Sequence, residues 1–303
     1  MNWRKFFRKA TPLIGVNLSG IAVIFALFEL TLRAVGWVDT GSPYPPRGSV
    51  VHRTSEFEVT YRYNDRGFRS DTDFRPFEQA GAPPPDVVAI GDSFTEGFGV
   101  ESTQTFSAEL ERILRRRNPA ARVLNLGISG TGPNDYARVF AYALRLRPRA
   151  IVIGFFVGND AAESRPPRAP SRWRTVQFLD GKIRTARRLL NPSPFRSGLV
   201  GTAYRWWVCR NAGISTEEFQ RRYERLAPEL RRLVDDEKIN FHLVLLGLLQ
   251  PDAIYNNLAL ADRASREGLQ HADILFRAMR QECERRGIAL HIAAIPASVQ
   301  VSA

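Results

Sequence analysis

The chain has 303 residues, 44% of them apolar, and a formal charge of +12, which is room for one large α/β domain and a further segment. Its basic residues are scattered through helical stretches such as Arg115-Arg116-Arg117 and Arg221-Arg222 without a reading motif, so no nucleic-acid partner is expected; the charge reads as solvated helix faces, with weak attraction to anionic lipid or polysaccharide as the alternative. Only Cys209 and Cys283 are present and no Cys-x-x-Cys, which excludes a zinc cluster or a disulfide-dense scaffold, leaves one bridge open, and gives no reason to expect a metal or cofactor.

In chain order, Arg4, Lys5, Arg8 and Lys9 precede an uncharged apolar run over residues 10–28, closed by Glu29 and Arg33. Nineteen residues at a rise of about 1.5 Å approach the roughly 30 Å hydrocarbon thickness of a bilayer. Asn17, Ser19 and Gly20 soften the run, so a cleaved signal peptide and a buried helix stay open. An uncleaved anchor is favoured, because no small-x-small cleavage site follows and Trp37 suits an interface. The positive-inside rule then puts residues 1–38 at and in the membrane, with the remainder outside the cytoplasm. Residues 39–54, beginning Asp-Thr-Gly-Ser-Pro-Tyr-Pro-Pro, read as an extended linker, and residues 55–303 as the domain.

Residues 57–63 alternate apolar and polar positions, predicting a short strand ended by Asn64-Asp65-Arg66-Gly67. Val87-Val88-Ala89-Ile90 predicts a buried strand ending at Gly91, and Phe106, Leu110, Ile113 and Leu114 a helix after it. Residues 123–126 predict a second strand, Tyr136, Phe140, Ala143 and Leu144 a helix opening at Pro133, and residues 150–157 a third strand. Continuous apolar strands joined by helices imply a parallel sheet covered on both faces. Residues 161–256 break the rhythm with several prolines and an amphipathic stretch in which Phe219, Tyr223 and Leu226 share a face. They read as an insertion over the active-site edge, with Tyr204, Trp206 and Trp207 expected in its core. A helix through Ala272, Leu275, Phe276 and Met279 and a strand over residues 288–295 complete the pattern.

Three polar, glycine-bearing turns follow the three successive strands: Gly91-Asp92-Ser93, then Asn125-Leu126-Gly127-Ile128-Ser129-Gly130, then Gly158-Asn159-Asp160. A nucleophilic serine needs donors aimed at a developing oxyanion, and glycine N–H groups and an Asn amide supply them without charge. Each turn read alone fits a structural cap or turn.

In this order and spacing the blocks resemble the SGNH/GDSL hydrolase superfamily, and residues 63–69, Tyr-Asn-Asp-Arg-Gly-Phe-Arg, look like its membrane-anchored bacterial members. The resemblance implies a three-layer α/β/α flavodoxin-like fold with a parallel sheet. It implies Ser93 as nucleophile, the N–H groups of Ser93 and Gly130 with the Asn159 side chain as oxyanion hole, and esters or acylated carbohydrates as substrates. The family's closing Asp-x-x-His is absent: Ser49, Ile239, Gly268 and Ile288 stand three residues before His52, His242, His271 and His291. His291 is expected to be structural within its strand, His271 solvated, and His52 outside the domain. A serine without a base keeps only residual catalysis, so the expectation is a shortened or divergent chain, with an inactive module that binds envelope carbohydrate as the alternative to an active esterase.

Overall fold

The computed structural model describes residues 3–53, 57–164, 171–189, 198–236, 241–249 and 263–296, with Phe195 and Lys238; for residues 3–18 the backbone alone is described. Four parallel strands, β3 (Val87–Gly91), β4 (Val123–Gly127), β5 (Ala150–Phe156) and β6 (Ala289–Ile295), form a sheet in the order β4-β3-β5-β6. The chain moves from β3 to one side for β4 and then to the other for β5. The order therefore reverses at β3, the place where open α/β sheets present a crevice at their carboxyl ends.

Alternation places Val88, Ile90, Leu124, Leu126, Ile151 and Ile153 on one face, since Val88 is in register with both Leu124 and Ile151. Helix α5 (Pro133–Ala143) and helix α12 (Arg263–Arg286) cover that face through Val139, Phe140, Met279 and Cys283. Pro133 sits in the first turn of α5, where its missing N–H costs nothing. On β4, α4 (Phe106–Arg115) packs with Thr105 as its N-cap, the hydroxyl accepting from the Ala108 N–H.

Before the parallel sheet, β1 (Ser49–Arg53) and β2 (Glu58–Arg62) form an antiparallel pair. The stretch expected as a linker is docked: the Ser42 hydroxyl donates to the Gly67 carbonyl at 2.5 Å and Tyr44 stacks on Tyr63 at 4.3 Å. Gly67, at φ 77°, turns Phe68 into the core and brings Arg69 under the next loop.

Helix α1 (Trp3–Ala34) carries the apolar run, of which residues 19–28 alone are described with side chains, and among the described residues no helix is long and apolar enough to cross a membrane. Its described part is two-sided. Ile21, Ile24, Leu27 and Leu30 are exposed, whereas Glu29 and Leu32 are buried. Phe25 and Phe28 meet Trp173 and Phe178 of the α7 segment, with α7 spanning Arg174–Leu189.

Further helices, α8 (Leu199–Ala212), α9 (Thr216–Glu224), α10 (Pro228–Asp235) and α11 (Phe241–Leu249), lie in the inserted segment. They hold a separate core of Val208, Cys209, Phe219, Leu245 and Leu248. Phe219, Tyr223 and Leu226 share its face as their spacing predicts. Trp206 and Trp207 do not enter it: both are 54% exposed, because α8 turns Val208 and Cys209 inward instead. Those two cysteine-bearing cores are distinct, and Cys209 and Cys283 are buried free thiols, so the bridge left open is not formed.

Candidate active site

The site is built on glycines. Gly91 is in register with Gly127 on one side and Gly154 on the other, so three adjacent strands lose their side chains at one level. Into that shelf drops α3 (Ser93–Glu96). A Cβ on Gly91 would lie 2.1 Å from Thr95 Oγ1, one on Gly154 2.5 Å from the same atom, and one on Gly127 2.2 Å from the Glu96 backbone nitrogen. No side chain fits at those distances, and the helix that starts with Ser93 sits directly on the strand ends.

The shelf also explains the local sequence. Asp92 is the N-cap of α3, its carboxylate accepting from the Phe94 N–H at 2.9 Å, and Gly97 closes the helix in the left-handed region at φ 86°. Burial pushes the Asp92 carboxyl up to about 6, against the pull of the Phe94 N–H. Ser93 itself is half-buried, and Phe94 beside it is exposed and stacks on Phe156 at 4.3 Å.

Around Ser93 the neighbouring turns are held by buried polar side chains. Asn125 donates to the Thr95 carbonyl at 2.7 Å and accepts from the Gly127 N–H at 2.9 Å, tying α3 to β4. Glu96 is almost fully buried and accepts from both the N–H and the hydroxyl of Ser129, which fixes the residue before Gly130. Gly130 is exposed at φ 65°, a conformation that costs a glycine little. On the other flank Asn159 is half-buried and precedes α6 (Asp160–Glu163), where the Asp160 carboxylate accepts from the Tyr136 hydroxyl and the Phe156 N–H, each at 2.9 Å.

Sequence reasoning missed two contributors. Gly154, inside an apolar strand, carries no motif. Arg69 is buried beneath the loop after α3, donating to the carbonyls of Glu96, Gly97 and Val100, with its guanidinium 3.7 Å from the Tyr61 ring centroid. Its place in the 63–69 motif was the available signal.

The histidines are dispersed. His52, expected outside the domain, lies in β1 against Tyr61 and 6.0 Å from the Phe98 ring; burial and then Arg69 lower its pKa. His242 is in α11, its side chain outside the described residues. His271 is half-buried on α12, with no hydrogen-bond partner for its Nδ1. His291 pairs with Val152 in β6 and is exposed rather than packed inside, because the whole of β6 is thinly covered. Among the described residues no histidine is hydrogen-bonded to Ser93, and no group of metal-ligating side chains occurs. A groove between α12 and β6, lined by Phe276, Cys283, Ile288 and Leu290, contains none of Ser93, Gly130 or Asn159.

Residues 89–271 match the family described as GDSL-like lipase/acylhydrolase. Among solved structures, AlinE4, an SGNH-hydrolase family esterase, aligns at 25% identity over 36% of this chain and 57% of its own, with a TM-score of 0.24. A variant of that esterase aligns at 24% identity over 37% and 58%, also with a TM-score of 0.24. The chain thus spans little more than half the length of these esterases. No curated protein matches it at a significant level.

Proposed function

We propose that this chain, which belongs to the GDSL-like lipase/acylhydrolase family, is a serine ester hydrolase of three-layer α/β/α build with Ser93 as its nucleophile. The observation that carries this reading is the glycine shelf, which seats the Ser93 turn at the reversal point of the sheet, between the turns bearing Gly130 and Asn159. Ser93 Oγ would attack the ester carbonyl carbon, its proton passing to the departing alcohol. The N–H groups of Ser93 and Gly130 and the Asn159 amide would bind the carbonyl oxygen as it gains charge. Water then cleaves the acyl-serine and restores the hydroxyl. The expected substrates are small esters, O-acetyl groups on carbohydrate among them.

Ser93→Ala is the test. The parent chain should be labelled by a fluorophosphonate and the variant should not; equal labelling of both would overturn the assignment. The absence of a histidine bonded to Ser93 among the described residues favours a second reading, a module that binds acylated envelope carbohydrate without cleaving it. Saccharide binding unchanged in Ser93→Ala, with no labelling of the parent, would select that reading.

The apolar run over residues 10–28 is proposed as a single-pass anchor with the hydrolase domain outside the cytoplasm. Its support is the basic flank Arg4, Lys5, Arg8 and Lys9 and the exposure of Ile21, Ile24 and Leu27 on α1. Resistance of the membrane-bound chain to alkaline extraction, with the domain digested by protease added from outside the cell membrane, is the expected result.

A further inference from the structure

We infer that α7 is a second membrane-contacting element, an amphipathic helix that lies on an anionic bilayer surface beside the end of α1; this rests on the reading of residues 10–28 as an anchor. The first ground is position. Glu29 follows the last residue of the apolar run, and its carboxylate accepts from the Thr175 N–H at 2.8 Å and the Thr175 hydroxyl at 2.9 Å, in the first turn of α7. One residue before α7, Trp173 meets Phe25 within the run, edge to face at 5.9 Å, and Phe178 meets both Phe28 and Trp37 at about 5.5 Å. A buried carboxylate needs such partners. The start of α7 is therefore fastened to the boundary of the anchor.

The second ground is the face that α7 leaves open. Thr175 and Phe178 turn toward α1, while Val176, Leu179 and Ile183, spaced i, i+3 and i+7, point away and are 41%, 51% and 52% exposed. Trp173, just before the helix, packs one edge on Phe25 and is otherwise 41% exposed. Apolar side chains in such a stripe need a partner. The charge around the stripe identifies a lipid interface as that partner. Arg172 sits over the Trp173 ring at 5.2 Å and Lys182 over the Phe178 ring at 5.3 Å, both exposed. Apolar residues flanked by an aromatic ring and cationic heads suit the boundary between acyl chains and anionic headgroups.

The experiment places a cysteine at Leu179→Cys, Ile183→Cys or, as a control on α9, Glu224→Cys, each in the full chain, and attaches an environment-sensitive fluorophore. Labelling of the parent chain, whose two cysteines are buried, sets the background. The proteins are reconstituted into vesicles of phosphatidylcholine and phosphatidylglycerol containing brominated lipid. Quenching at 179 and 183 is expected to be at least about twofold that at 224. Equal quenching at all three sites, or none at any, in a chain that still resists alkaline extraction overturns the inference about α7 and leaves the anchor standing. Release of the chain by alkali, with no site quenched, overturns the anchor reading itself. A cross-link between two copies at 179 without quenching assigns the face to self-association and also overturns the proposal.

Discussion

The carboxyl ends of β3, β4 and β5 and the strand β6 belong to one sheet but are constrained very differently. Every residue of β3 and β4 is buried, and the three glycines at their level leave no space for a methyl group. In β6, Ala289, His291, Ile292, Ala293 and Ala294 are exposed although the strand is fully paired with β5. Backbone pairing alone therefore does not make a strand rigid to substitution; close packing on its faces does. The turns bearing Ser93, Gly130 and Asn159 follow these packed strand ends, so the level at which they leave the sheet is set by sterics.

Gly127→Ala should produce the largest effect. Its Cβ would meet backbone atoms of Thr95 and Glu96, which cannot rotate aside as a side chain would. A loss of about 3 kcal/mol or more is expected in urea unfolding, with loss of Ser93 labelling. A loss under about 1 kcal/mol would mean that α3 rides loosely, and the contrast with β6 would collapse.

Arg69→Met comes next. It keeps much of the buried stem but leaves the carbonyls of Glu96, Gly97 and Val100 without their donor. The expected cost is about 2 kcal/mol, with fluorophosphonate labelling slowed more than unfolding is hastened, since the loop after Ser93 is what Arg69 holds. Stability lost with labelling intact would make Arg69 a core residue only.

The parts of this region differ in how legible they are in the sequence. β3, β4 and β5 could be read because apolar β-branched runs ending in glycine announce buried strands, and the turns bearing Ser93, Gly130 and Asn159 could be placed at one sheet edge because they follow those ends. Arg69 could not be ranked from sequence: it bonds main-chain carbonyls 27, 28 and 31 residues away, and carbonyls have no identity in a sequence. Gly154 was hidden for a related reason, since its meaning comes from Thr95 of another segment. Apolarity also overstated burial where one side of an element is open, as for Trp206, Trp207 and His291.

A smaller effect separates charge from packing within the site. The Asp92 carboxyl is raised from 3.8 to about 6, chiefly by burial. The folded protein therefore binds this proton more tightly than the unfolded chain does. The stabilisation is complete below about pH 4 and is lost as pH rises through about 6. Asp92→Asn keeps an oxygen to cap the Phe94 N–H and cannot titrate. The difference in unfolding free energy between parent and variant should accordingly shift in the variant's favour between pH 4 and pH 7; a pH-independent difference would show that Asp92 is solvated and the shelf less enclosed than its packing indicates.

The smallest change is expected on β6. Ile292 is in register with Ile153 but is 47% exposed, whereas Ile153 is buried. Truncating Ile292→Ala removes side-chain surface of which about half already faces water, and it opens no enclosed cavity, so both the transfer and cavity contributions that make core truncations costly are small. A loss below about 1 kcal/mol in urea unfolding, and unchanged labelling of Ser93, is the expected outcome. A loss of about 3 kcal/mol, the range for a buried isoleucine, would mean that β6 is covered in solution, and its difference from the strand ends that seat Ser93 would then reflect a missing contact and not a difference in how the two regions are built.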